Sequence, residues 1–278
     1  MNTLFVSAGA ALKALRAQRP LIHHVTNVVT MNDCANATLA IGASPVMTWA
    51  EEEVEEMAAA AQALVLNLGT LQHWTVDSMV KAGKAAARKG IPIVLDPVGA
   101  GGTTFRTQAA LRLLQALPIT VIRGNRSELA CLTAGTKGEH LGVDSDDSRP
   151  VSAEEVCRMA RKLQTVVAVT GPIDAVSDGQ QVILLENGTP LLARVTGTGC
   201  MTTSLIAAFC TAADAVTAAA AGVTAMGLSG EMAVDQEGPV GPGTFHARLF
   251  DGLYLLEAAD FVQYGKIVKE VSFPQESR

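Results

Sequence analysis

The sequence predicts a single α/β domain: a mainly parallel central sheet flanked by helices, with an antiparallel meander along one edge. Three features predict it. Short runs that are apolar on both faces, such as Ala63 to Leu68 and Ile93 to Leu95, alternate with amphipathic helical segments, the pattern of parallel strands covered on both sides. Beyond Val166 to Val169 the spacing shortens, and strand-like runs meet through Asp178-Gly179 and Asn187-Gly188, both hairpin signals. No Pro-, Gly- or Ser-rich linker divides the 278 residues.

Taken in order, residues 5 to 17 read as a helix, and Leu21 to Val25 as a strand that delivers Thr26 and Asn27 to its end. A helical pattern follows from Met31 to Ile41; Ser44 to Met47 is too short a run to assign. The acidic run Glu51 to Glu56 opens another helix and reads as a solvated face near its N-terminus. The strand Ala63 to Leu68 ends in Gly69-Thr70 and precedes a helix from Thr75 to Arg88, which Gly90 stops. Ile93 to Leu95 runs into Asp96-Pro97-Val98-Gly99, and a helix from Thr107 to Ala116 feeds the strand Ile119 to Ile122. In such sheets ligands gather outside the carboxyl ends of the strands, so Asn27, Asp96 and the turn Arg123-Gly124-Asn125 share the functional rim. The polar stretch 136 to 150 is either a lid or a plain loop, and Ser152 with Glu155 forms a capping box for the next helix. Strands at Asp174 to Ser177, Gln181 to Leu185 and Leu191 to Val195 make the meander. Helices at 200 to 213, 215 to 233 and 245 to 263 complete the chain, and Glu270 to Arg278 is polar enough for disorder.

Composition narrows the function. A net charge of −6 with mixed signs lacks the basic stripe of a nucleic-acid binder, so small molecules are the expected partners. The five cysteines are odd in number, scattered and free of CxxC spacing, which suits a reducing cytoplasm rather than a disulfide framework. The N-terminus lacks the pattern of a secretory signal, and the Ala-, Thr- and Gly-rich segment 201 to 230 reads as packed core helices rather than a membrane span.

The stretch Val195-Thr196-Gly197-Thr198-Gly199-Cys200 is the sharpest chemical signal. Two glycines let the backbone turn tightly onto a ligand, and the apolar run behind them starts a helix whose unpaired amides suit phosphate oxygens. The bland alternative is a structural strand-to-helix turn. Cys200 at the helix start is expected to favour thiolate. Asp96 and Glu128 fit magnesium, which takes one or two carboxylates along with substrate phosphates; equally, Asp96 is a turn acid and Asn125 with Glu128 an N-cap pair. Arg123 faces a polyphosphate or solvent, and Thr170 binds phosphate or ends its strand. His23 and His24, adjacent on a strand, point to opposite faces and read as structural. Met47 reads as core filling. Neither a Walker A sequence nor a GxGxxG after a first strand is present.

In order along the chain, His23-His24-Val25-Thr26-Asn27, Gly42 to Met47, Asp96 to Gly101, Arg123 to Glu128, Val169-Thr170-Gly171, Val195 to Cys200 and Gly241-Pro242-Gly243-Thr244-Phe245-His246 resemble the hydroxyethylthiazole kinases, a branch of the ribokinase-like superfamily. The resemblance implies ATP- and magnesium-dependent phosphorylation of the primary alcohol of 4-methyl-5-(2-hydroxyethyl)thiazole toward thiamine, by a homotrimer with interfacial active sites. It implies thiazole contacts at Met47, Gly197 and Asn27, ATP contacts at Arg123 and Thr170, and magnesium at Asp96 and Glu128. Ribokinase relatives carry Asp where this chain has Cys200, and the thiazole branch carries Cys; that position then orients the acceptor hydroxyl, or acts as its base, beside the Gly197 and Gly199 amides. Rival readings are another ribokinase-like activity, such as hydroxymethylpyrimidine phosphorylation or ATP-dependent dehydration of a nicotinamide nucleotide hydrate, and a silent thiazole or nucleotide sensor.

Overall fold

The structure, a computed structural model, describes residues 2–134, 151–234 and 240–273. The stretch 136 to 150, read above as lid or loop, lies outside them. Strands β1 (Leu21–Val25), β2 (Ser44–Met47), β3 (Ala63–Asn67), β4 (Ile93–Asp96), β5 (Val121–Gly124) and β6 (Val166–Val169) lie parallel in the order β2-β1-β3-β4-β5-β6. β7 (Asp174–Ser177), β8 (Gln181–Leu185) and β9 (Ile267–Ser272) continue the sheet antiparallel.

Alternation along each strand sends side chains into two cores, one on each side of the sheet. In β3, Ala63 and Val65 enter one core, and Leu64 and Leu66 enter the other. The first core is closed by α1 (Thr3–Gln18), α2 (Met31–Ile41), α8 (Thr198–Phe209), α9 (Ala215–Val234), α10 (Pro242–Leu255) and α11 (Ala258–Tyr264). The second is closed by α3 (Val54–Ala60), α4 (His73–Lys89), α5 (Thr104–Ala116), α6 (Arg126–Ala134) and α7 (Ala153–Leu163). The crossover α2 therefore leaves β1 on one face, while α4 leaves β3 on the other. That reversal between β1 and β3 is the switch point at which such sheets open a crevice.

Three elements differ from the sequence reading. Leu191 to Val195 is not a third meander strand: Pro190–Arg194 forms a 3₁₀ helix started by the Thr189 side chain, with Pro190 in its first turn. The preceding Asn187-Gly188 is likewise no hairpin. Asn187 Nδ2 donates to Tyr264 O (3.0 Å) and its Oδ1 accepts from Lys266 N (2.8 Å), so its side chain draws the C-terminal segment alongside β8. Residues 267–272, the last three of which belong to the tail read as polar enough for disorder, then pair with β8 as β9. The predicted helix 245 to 263 breaks at Leu256, where Arg16 donates to the carbonyls of Leu253, Tyr254 and Leu256, and Glu257 caps a new helix. Exposed charges on β9, Lys269 and Glu270, suit an edge strand.

Candidate active site

The alternation that fills the cores also builds the site. On the face whose core holds Val65, Val94, Val121 and Ala168, the next same-side positions are Asn67, Asp96, Arg123 and Thr170. Four polar side chains thus stand in a row at the carboxyl ends of β3, β4, β5 and β6. Register brings Asn67 directly opposite Asp96. Above them lies the N-terminus of α8, whose cap Gly197 has φ +90. A Cβ there would sit 2.6 Å from Thr30 Cγ2, and a Cβ on Gly199 would strike the Arg123 guanidinium, so both glycines are demanded by close approach. Among the described residues Asp96, Arg123, Gly197 and Gly199 line a cleft of about 360 Å³.

Asp96 Oδ2 accepts from Asn67 Nδ2 and Thr203 Oγ1, each at 2.9 Å, and lies 3.8 Å from Arg123 Nη1. Its Oδ1 is buried with no hydrogen-bond partner among the described residues. Burial pushes the Asp96 carboxyl up to about 6, with Arg123 pulling against it and Glu128 adding to it. Glu128 Oε1 accepts from Gly99 N (2.7 Å) and Oε2 from Asn125 N (2.9 Å), which fixes this carboxylate across the cleft. Arg123 also donates to the Thr170 hydroxyl. Asn67 is the hub: Oδ1 accepts from Asn27 Nδ2 and Gly69 N, while Nδ2 donates to Asp96 and, at 3.2 Å, to Cys200 Sγ.

The family model for hydroxyethylthiazole kinases matches residues 12–259. The chain belongs to the hydroxyethylthiazole kinase family. A hydroxyethylthiazole kinase of Thermoanaerobacter pseudethanolicus is 48% identical over 246 residues, covering 88% of this chain and 93% of that protein. The solved structure of a hydroxyethylthiazole kinase from Pyrococcus horikoshii OT3 is 43% identical, with a TM-score of 0.85 over 95% of this chain and 99% of that one. A ribokinase-like superfamily protein from Enterococcus faecalis V583 shares the fold at 14% identity, with a TM-score of 0.58 over 90% of this chain and 81% of that one.

Within this hydroxyethylthiazole kinase fold, the cleft wall gathers Asn27, Asp96, Arg123, Glu128, Gly197, Gly199 and Cys200 from the residues singled out in the sequence. Thr170 stands behind the wall and reaches it through Arg123. Met47 does not line the cleft; it closes β2 and packs against the core shared with α2 and α8. The expected thiolate is corrected: partial burial and the neighbouring Asp96 push the Cys200 thiol up, outweighing Arg123 and the Thr30 and Asn67 contacts that favour the anion. His23 and His24 are structural as read. His23 Nε2 pairs with Thr48 O (3.0 Å), and His24 Nδ1 with Ile22 O (3.0 Å).

Asn67 and Arg106 were not singled out in the sequence, nor were the cleft-lining Val29 and Thr30. Asn67 carried a usable signal, a polar side chain at the carboxyl end of an otherwise apolar strand. Arg106, on α5, lines the cleft and donates from Nη1 to Val98 O at 2.8 Å. As one basic residue in a helix, nothing in its sequence surroundings marked it.

Proposed function

We propose that this protein transfers the γ-phosphoryl group of ATP to the primary hydroxyl of 4-methyl-5-(2-hydroxyethyl)thiazole, a salvage step toward thiamine. The observation that carries this is the convergence of the α8 amides, Arg123 and the Asp96 carboxylate on one cleft at the strand carboxyl ends. Amides at Gly197 to Cys200 receive the phosphoryl oxygens, and Arg123, held by Thr170, neutralises the polyphosphate. The hydroxyl oxygen bonds to phosphorus as the β,γ-bridging oxygen leaves with ADP, and the hydroxyl proton departs to water. A loose transition state asks little of a base, so Cys200, a neutral thiol, positions the acceptor hydroxyl together with Asn27.

Magnesium fits the donors present. Asp96, whose Oδ1 has no hydrogen-bond partner among the described residues, and Glu128 both line one cleft. That sparse set is the habit of an ion whose shell is completed by water and phosphate. Asp96 and Glu128 would hold it, and when bound it offsets the nucleotide's negative charge.

The active form is read as a homotrimer with sites at subunit contacts. Val28 and Val29, on the rim next to Asn27, are 65% and 61% exposed, and Met47 lies outside the cleft that one protomer builds. No helix among the described residues is long and apolar enough to cross a membrane; the cytoplasmic setting belongs to this reading and rests on the scattered cysteines of the sequence, which lack a disulfide framework. The test offers purified protein magnesium-ATP with hydroxyethylthiazole, a hydroxymethylpyrimidine and pyridoxal in parallel, measuring ADP and phosphorylated product. Preferential turnover of the thiazole is expected; equal or absent turnover across the three overturns the assignment.

A further inference from the structure

The switch point opens on both faces of the sheet, and the cleft occupies only one of them. On the other face a cavity of about 230 Å³ lies between the carboxyl end of β1 and the first turns of α4, sharing Gly69 and Thr70 with the cleft wall. Crevices at this place in α/β sheets are where ligands bind. The chain has two tryptophans, and both Trp49 and Trp74 line this cavity, together with Val25 and Met79. Trp74 is 50% exposed, a large ring left partly in water on the cavity rim.

Chemistry defines the occupant. No charged side chain lines the cavity among the described residues, so nothing there answers a phosphate or carboxylate. The volume is below that of ordinary ligand pockets, roughly 300 Å³ and upward, and takes one small ring rather than a nucleotide. Indole walls favour a planar aromatic partner. Thr26, 8% exposed, lines the same cavity, and its Oγ1 has no hydrogen-bond partner among the described residues. A buried hydroxyl so placed calls for one heteroatom.

We propose that this cavity is a second, non-catalytic site for a small uncharged planar heterocycle, and that filling it lowers turnover. The link is Asn67, which lines the cavity and whose amide also holds Asn27, Asp96 and Cys200. The amide lies on the cleft side of the sheet, so a ring pressed against the end of β3 from the far face acts by shifting the backbone at Asn67 and Gly69 that carries it. The acceptor thiazole belongs to the same chemical class, so turnover passes through a maximum as its concentration rises; this kinetic consequence alone rests on the proposed function.

Binding is tested with 4,5-dimethylthiazole, which has no hydroxyl to phosphorylate, titrated into the full-length protein while tryptophan fluorescence is followed. A saturable change is expected. Trp74→Ala, with Trp49 left as reporter, weakens it by roughly tenfold, and Trp74→Phe restores it. Thr26→Val, which keeps the shape and removes the hydroxyl, weakens it as well, and covers the case in which Trp74→Ala fails to fold. An affinity unchanged in both variants, or an equal response to the phosphorylated thiazole, overturns the site. In the ADP assay the falling limb at high hydroxyethylthiazole disappears in Trp74→Ala; a wild-type curve that only saturates overturns the inhibition. Saturable fluorescence without turnover of any thiazole leaves the site standing and removes the proposed function, and normal turnover without a fluorescence response does the reverse.

Discussion

Asn67 uses all four of its side-chain hydrogen bonds inside the site, two accepted and two donated. Replacing its NH2 by a carboxylate oxygen, as in Asn67→Asp, sets two carboxylates where a 2.9 Å hydrogen bond now joins Asn67 to Asp96. The expected result is a loss of about 2 kcal/mol or more in stability with activity reduced further than the melting shift explains, read by thermal melts beside the ADP assay. Asp96 itself is held at a cost. Its carboxyl titrates near 6 in the fold, against roughly 3.9 in an unfolded chain. Between those values the folded state binds the extra proton, so stability falls as pH rises through the window, and above it the ionised carboxylate remains a fixed penalty. Asp96→Asn is therefore expected to melt higher than the wild type above about pH 6, to lose that advantage as pH drops toward 4, and to lose about a hundredfold or more in turnover. A variant that melts lower at pH 8 would refute the account. At this scale the sequence was readable wherever a residue type is rare in its setting: an acid before proline, glycines opening a helix, an arginine ending a strand. It failed at Cys200, because the charge of a thiol depends on burial and on Asp96, 104 positions away in the chain yet adjacent in space.

Elements followed the same logic, with contact outweighing local pattern where the two conflicted. Most of the parallel strands were legible because they are apolar runs bounded by a turn, whereas β2, Ser44–Met47, was too short to assign. Leu191 to Val195 is just as apolar, yet Pro190 and the Thr189 cap wind it into a 3₁₀ helix, and β9 takes the edge position instead. β9 was not legible because it is exposed along most of its length and alternates weakly. What fixes this region is Glu231 on α9: its carboxylate accepts from Gly188 N (2.8 Å), Lys266 Nζ (3.0 Å) and Asn187 Nδ2 (3.3 Å). One side chain thereby anchors the entry to the 3₁₀ helix and the approach to β9. Since the 3₁₀ helix leads within a few residues to Gly197, Glu231→Ala is expected to cost about 1–3 kcal/mol and to lower phosphoryl transfer as well. Glu231→Gln, which still accepts from the Gly188 amide, should recover most of both. Equal damage from the two variants in urea melts would assign the effect to charge rather than to the anchored backbone.

For the whole molecule, the two-sided core makes a rigid floor, and the rim above it is where one protomer leaves apolar surface uncovered. Val28 and Val29 stand consecutively beside Asn27, with Leu39 on α2 56% exposed. In the proposed trimer, a second subunit would cover these consecutive exposed β-branched residues beside the cleft. Val29 also lines the cleft, so a subunit resting on it would help complete the acceptor pocket. If the trimer forms here, Val29→Glu places a charge in a desolvated contact, which costs several kcal/mol per interface. The variant is then expected to sediment as a monomer at concentrations where the wild type is trimeric. Its KM for the thiazole should rise by about tenfold or more, and its melting temperature should lose the wild type's dependence on protein concentration, because Val29 lies outside both cores and reaches folding only through association. A wild type that sediments as a monomer would remove the trimer, and a trimeric Val29→Glu would move its contact to another face. A monomeric variant with unaltered KM would separate assembly from acceptor binding, leaving the single-protomer cleft sufficient for the chemistry.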